Sequence, residues 1–156
     1  MKLILFLLAF LLSASPVLAD VFDAPCSRYR VPKRLALAIA KTESGLDPWC
    51  VYVAGKTYRP GSRAGALSII RHARARGLSH DIGLMQINSW WLKHLNISSE
   101  AALEPRNNVT LGVWILAKEI QRHGYNWKAV GAYHSPTPTR QRIYAQVVAQ
   151  KYRDIR

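Results

Sequence analysis

The sequence predicts a single, mainly helical α+β domain with one small β element in its first half. Three observations carry that expectation. Several long segments repeat their apolar positions at helical spacing and carry caps or stops at their ends. One short segment, VYVAGKTYR, alternates instead, around a glycine. From about Asp20 to Arg156, no linker, repeat or low-complexity run divides the chain. Its 156 residues suffice for one core, and an apolar content of 49 % allows the chain to fold.

The elements follow in order. MKLILFLLAFLLSASPVLA opens with Lys2, runs apolar from Leu3 to Leu12, and places Val17 and Ala19 where a signal peptidase reads its substrate. This is a secretory leader, cleaved after Ala19 and too short in its apolar run for a membrane span. VPKRLALAIAKTES reads as a helix, with Pro32 in its first turn and Gly45 at its end. VYVAGKTYR is a short hairpin or strand. GSRAGALSIIRHARARG is a basic amphipathic helix that Ser62 caps and Gly77 stops. SHDIGLMQIN is a loop or short strand that leads into a helical SWWLKHL. NNVTLGVWILAKEIQRHG is the clearest helix, with Val109, Val113, Leu116 and Ile120 on one face and Gly124 as its stop. NWKAVGAYH is a short helix. TRQRIYAQVVAQKYR closes the chain, with Ile143, Tyr144, Val147 and Val148 as its packed side.

Charge narrows the function. The formal charge of +13 falls by one, to +12, when Lys2 leaves with the leader. So basic a chain favours polyanions, and export argues against nucleic acid among them. An acidic cell-wall polymer or an acidic lipid surface remains. Cys26 and Cys50 are even in number, close in sequence and bound for an oxidising compartment, which suggests one disulfide. Such a bridge would contribute about 3 kcal/mol. No Cys/His cluster has zinc-ligand spacing, and GKTYRPG lacks the glycine spacing of a phosphate loop. Neither a metal nor a cofactor is expected.

One residue breaks the apolar pattern. Glu43 shares a helix face with Leu35, Ala36, Ile39 and Ala40. Burial disfavours its charged form, and the negative end of the helix dipole pushes the same way. Both effects favour a proton on Glu43, as a general acid requires. Glycosidic cleavage needs such an acid at the leaving oxygen. Ordinary glycosidases add a second carboxylate. Asp47 and Asp81 are the candidates, although Asp47 lies in LDP, where an Asp usually braces a turn. A single-acid mechanism assisted by the substrate is equally open.

Four blocks in order, ALAIAKTESGLDP, DIGLMQINSWWL, NNVTLGVWIL and AVGAYHSP, resemble the lysozyme-like soluble lytic transglycosylases. The likeness is strongest to the small exported members that accompany conjugation, secretion and pilus machines. It covers about Ala36 to Pro136, and the ordered set is specific. The resemblance implies a lysozyme-like fold with its small β element near the cleft. It implies that Glu43 is the catalytic acid and base, and that Ser44 is its motif neighbour. Gly83, Leu84, Met85 and Gln86 then line the cleft beside it, Gln86 offering a donor and an acceptor to sugar groups. Asn88 shares that wall, and the Tyr133 hydroxyl faces the acid and the sugar. Asn108 and Gly112 are scaffold. Trp90 and Trp91 are stacking candidates, of which at least one should pack inward.

The chain departs from the family pattern at three places. His134 stands where AYN is usual, Arg106 stands where relatives often carry a cysteine, and Val51 to His80 is long enough to form an insert over the cleft. The resemblance implies a periplasmic monomer that cleaves peptidoglycan between N-acetylmuramic acid and N-acetylglucosamine and forms a 1,6-anhydro product. Glycan strands are its expected partners, with components of an envelope-spanning machine beside them. Arg63, Arg71, Arg74 and Arg76 would favour the anionic wall peptides. A hydrolytic muramidase using Asp81 or Asp47, and a non-catalytic wall-binding assembly factor, are the rival readings.

Overall fold

The computed structural model describes residues 16–155. The leader expected over 1–19 lies outside the described residues, except for Pro16 to Ala19. The first helix, α1, spans Pro16–Tyr29. It was not expected from the sequence, because Pro25 and a polar mix hide its apolar pair. That pair, Phe22 and Cys26, is buried one turn apart, and the helix rests on the core through it. Helix α2 (Lys33–Glu43) follows Pro32 and buries Leu35, Ala36, Ala38, Ile39 and Ala40. It ends as expected, with Gly45 at φ +67°; Leu46 also takes a left-handed conformation, at φ +66°.

The hairpin is β1 (Val51–Val53) and β2 (Lys56–Tyr58). Its two-residue turn, Ala54-Gly55, has φ positive at both positions, the geometry that matches the twist of paired strands. Helix α3 (Arg63–Ala75) follows, capped by the Ser62 hydroxyl and packed through Ala66, Leu67, Ile70 and Ala73. The GLMQ block is the turn between two further strands, β3 (His80–Ile82) and β4 (Ile87–Asn88). All pairs are antiparallel, and the sheet order is β2-β1-β3-β4. The stretch expected as an insert over the cleft therefore supplies half of the sheet and a helix packed on it.

Short helices α4 (Ser89–His94) and α5 (Ser99–Ala102) lead to α6 (Pro105–His123). Asn88 and Ser98 cap the first two. Helix α6 buries Asn108, Val109, Gly112, Val113, Ile115, Leu116 and Glu119, one broad face of the helix, and packs against α1 and α7. At Gly112 an added Cβ would lie 2.5 Å from the Met85 Cβ, so the glycine admits the GLMQ turn against α6. Helices α7 (Trp127–His134) and α8 (Pro138–Asp154) close the fold. The packed side of α8 is narrower than expected. Tyr144, Ala145 and Val148 are buried, while Ile143 and Val147 are 59 % and 43 % exposed. The helical period carries those two past the edge of the contact with α2 and α7.

The expected disulfide is not formed. Cys26 and Cys50 are both free, buried thiols. Their surroundings differ: Cys26 lies near Asp23 and Lys33 at the α1–α2 corner, Cys50 near Arg59, Asp47 and Glu43. Burial pushes the Cys26 thiol up to about 11, with Asp23 adding and Lys33 opposing. Each thiol is packed as a small apolar group in its own neighbourhood.

Candidate active site

The sheet supplies one wall of a cleft of about 1350 Å³. Successive side chains on a strand face opposite sides, and the register aligns Thr57 with Tyr52, Tyr52 with Asp81, and Asp81 with Asn88. These four residues line the cleft. The alternate positions Val51, Val53, Ile82 and Ile87 are buried in the core. The other walls come from the ends of α2 and α6, from α7, and from the start of α8.

Glu43 is the last residue of α2, and its side chain lines this cleft at 12 % exposure. Tyr144 on α8 donates its hydroxyl to Glu43 Oε1 at 2.6 Å. Burial, the charge of Glu43, neighbouring Tyr133 and that bond push the Tyr144 phenol well above its ordinary range, so it keeps its proton and donates a hydrogen bond to Glu43. His134 Nδ1 lies 3.8 Å from the same Glu43 oxygen. Tyr144 sits in the tail helix, outside every recognised block. Its one trace in the sequence is an aromatic on a buried helical face.

The structure sorts the other expected site residues. Gln86, Asn88 and Tyr133 line the cleft with Glu43. Ser44, Gly83 and Met85 do not, because all three are buried. The Ser44 hydroxyl shares its one proton between Ala40 O at 3.1 Å and Leu84 O at 2.9 Å, tying the end of α2 to the GLMQ turn. Gly83, at φ +78°, admits the Asn108 amide; a Cβ there would meet Asn108 Cγ at 2.6 Å. Gln86 holds a left-handed backbone at φ +47°, an unfavourable conformation of the kind concentrated at functional sites. Its Nε2 donates to Gly83 O and Cys50 O. The Tyr133 hydroxyl donates to Met85 O at 2.6 Å, so the phenol bonded to Glu43 is Tyr144.

Asn88 is also committed. Its Oδ1 caps α4 at Trp90 N, and its Nδ2 donates to Asp81 Oδ1 at 2.6 Å. Burial raises the Asp81 carboxyl above its ordinary range and the charge of Glu43 adds to this, against the Asn88 bond, His80 and His134. Asp47 is spent bracing its turn, accepting from Trp49 N at 2.9 Å and from Arg59 at 3.2 Å. Of the two candidate second carboxylates, the one in the cleft is Asp81.

Trp91 is half-buried against the core, edge-on to Trp114, while Trp90 is exposed on the cleft wall. Arg71, Arg74 and Arg76 lie exposed along or just beyond α3, and Arg63 is paired with Glu104 at 2.7 Å. The cations that line the cleft are instead Arg122, Lys128 and Arg140, which charge counting could not single out.

A mainly helical body, a small antiparallel sheet and a cleft between them with a glutamate at a helix end define a lysozyme-like domain. Residues 20–155 match the family model of the transglycosylase SLT domain, and the chain belongs to that family of lytic transglycosylases. Invasion protein IagB of Salmonella typhimurium is 32 % identical over 155 residues, covering 94 % of this chain and 84 % of its own. Protein IpgF of Shigella flexneri is 30 % identical over 142 residues, covering 86 % and 80 %. Protein virB1 of Agrobacterium fabrum is 32 % identical over 97 residues, covering 61 % of this chain and 39 % of its own. Among the described residues, no helix is long and apolar enough to cross a membrane.

Proposed function

We propose that the chain is a peptidoglycan lytic transglycosylase that cleaves the bond between N-acetylmuramic acid and N-acetylglucosamine and closes a 1,6-anhydro ring. The observation that carries this reading is Glu43, a mostly buried carboxylate in a glycan-sized cleft with one oxygen gripped by a phenol. Protonated Glu43 gives its proton to the leaving oxygen. The substrate's acetamido group steadies the cationic centre. Glu43, now a carboxylate, takes the proton from the sugar's own 6-hydroxyl, which attacks C1. Tyr144 donates to the carboxylate in the interval between these two steps. The Gln86 amide nitrogen is occupied by backbone carbonyls, so its oxygen is the atom left for a sugar hydroxyl or N-acetyl group. Trp90 offers a ring face to a sugar.

Domain and location belong to the same reading. A leader ending at Ala19 takes the domain, 20–156, into the periplasm. There the enzyme opens the wall locally for an envelope-spanning secretion or conjugation machine. The resemblance to small exported transglycosylases supports this, as does likeness to a protein named for invasion.

Incubating the mature chain with intact peptidoglycan and weighing the released muropeptides tests the reaction. Anhydro products are expected. The position of Asp81 across the cleft favours one alternative, hydrolysis, whose products are heavier by one water. In that case Asp81→Asn should abolish turnover, whereas in the transglycosylase it should leave the anhydro product in place. Loss of the Tyr144 hydroxyl gives a second test. A hydrogen bond to a charged group is worth about 1.5–3 kcal/mol, so Tyr144→Phe should slow product release roughly 10- to 100-fold. An unchanged rate would remove Tyr144 from the mechanism.

A further inference from the structure

Two groups address one oxygen of Glu43. Tyr144 donates to Oε1 at 2.6 Å, and His134 Nδ1 stands 3.8 Å from that atom. The imidazole lies parallel to the Tyr144 ring, with centroids 4.4 Å apart and 0° between planes, so packing fixes its orientation. The His134 side chain is 46 % exposed and that of Glu43 only 12 %. A base that water reaches thus stands beside an acid that water barely reaches.

The charges facing His134 come from three elements. Contact with Glu43 of α2 raises the imidazole above its ordinary range. Burial opposes the rise, the charges of Glu43 and of Asp81 on β3 add to it, and Arg140 of α8 reduces it. At 3.8 Å the contact is long for a hydrogen bond, so we assign it to charge attraction. Tyr133 and Tyr144 are neutral neighbours, both pushed well above the ordinary tyrosine range. Helix α6 brings Glu119, Arg122 and His123 to the same cleft, but these pair with one another at 3.6 and 3.5 Å.

We propose that His134 and Glu43 hold one proton between them, and that a glycan entering the cleft moves it from His134 to Glu43. The proposal rests on the reading of Glu43 as the acid. In the open cleft, water supports the separated charges. A bound sugar displaces that water, and the neutral pair becomes the favoured arrangement. The bound sugar must first bring Nδ1 in from 3.8 Å to hydrogen-bond distance of Oε1; the Nδ1–H bond then breaks, a carboxyl O–H bond forms, the nitrogen keeps the electron pair, and no co-reactant is needed. His134 acts through Glu43 as a positioning residue. It resolves a conflict in the site: an acid must be protonated at the pH where its carboxylate is also an effective base.

The sign of the pH effect follows. The pair keeps its proton until His134 loses it, so activity extends upward in pH. Without the imidazole, the site lacks the second group that holds the proton. His134→Asn should therefore move the alkaline limb of the pH–rate profile down by about one unit or more, a loss approaching tenfold on the alkaline side of the wild-type midpoint. Profiles that superimpose after scaling would make His134 purely structural and overturn the proposal. A readout independent of turnover is the His134 imidazole resonance in NMR titrations. Its pKa should fall in Glu43→Gln. In wild type near pH 6, a soluble N-acetylglucosamine oligosaccharide should shift the resonance toward the neutral form. An unchanged titration in Glu43→Gln, or an imidazole that stays charged with the sugar bound, would also overturn it. If the chain releases no product at all, the transglycosylase reading fails, while these titrations still decide the pairing.

Discussion

Glu43→Gln should abolish release of anhydro-muropeptides while leaving the fold in place. The amide oxygen can still accept from Tyr144, and the side-chain volume is kept, so the thermal midpoint should move little. The proton is what disappears. A positioned general acid contributes about 10²–10⁴-fold, and in the proposed mechanism the same residue serves as acid and then as base, so the loss should lie toward the upper end. Mass analysis of products from intact wall, with pull-down of the variant on the same wall, separates the outcomes. Binding without turnover is the expected result. Turnover within tenfold of wild type would mean that Glu43 is not the acid, whereas wall binding with no product from either protein would favour the wall-binding assembly factor. Glu43→Asp is a useful companion, because it keeps the carboxyl but withdraws it from Tyr144.

The second large effect should come from a residue that never touches the substrate. Asn108 is fully buried in the first turns of α6. Its Oδ1 accepts from Met85 N at 2.8 Å, and its Nδ2 donates to Ile82 O at 2.9 Å and Ala102 O at 3.0 Å. One side chain thus joins β3, the GLMQ turn and α5 to α6. Asn108→Ala would leave one backbone donor and two acceptors buried and unpaired. Each such group costs about 1–3 kcal/mol, so a loss of about 3–5 kcal/mol is expected, partly relieved if water enters. Urea denaturation should show a lower midpoint with an unchanged slope. Activity should fall even where the variant is folded, because Met85 O anchors Tyr133 and the next residue is Gln86. A loss under about 1 kcal/mol would mean that the three backbone groups find other partners.

The main elements were legible because their signals are local. Apolar spacing, Pro32, Ser62, Gly77 and Gly124 marked helices whose ends the structure places within a few residues. Helix α1 was missed because its stability comes from docking Phe22 and Cys26 on the core, a contact with no local mark. Strands β3 and β4 were left undecided between loop and strand. They are three and two residues long, and only the pairing of β3 with β1 and of β4 with β3 makes a sheet of them. The disulfide was inferred from count, spacing and compartment, which say nothing about direction in space. The thiols instead occupy separate environments.

The site divides in the same way. Glu43 stood out because a carboxylate on an apolar helix face is costly, and that cost is visible in sequence. The role of Asn88 in holding Asp81 was not visible, since it depends on register across β3 and β4. Ser44, Gly83 and Met85 belong to the recognised blocks, yet they build the turn behind the cleft and do not line it. A motif marks residues that must keep their identity, and tight packing demands this as strictly as contact with a sugar does.

The sequence by itself determined the helical class, the carboxylate at the end of α2, the family and the glycan chemistry that family implies. These depend on residue type and spacing along one segment. The tertiary structure decided which groups share the acid's space: Tyr144 and His134 on its Oε1, Asp81 across the cleft, and Arg122, Lys128 and Arg140 along the walls. Tyr144 is 101 residues from Glu43, and the two meet only because α8 folds back across α2. Hydrogen bonding and charge act through distance in space, so contacts between segments so far apart exist only once the chain has closed.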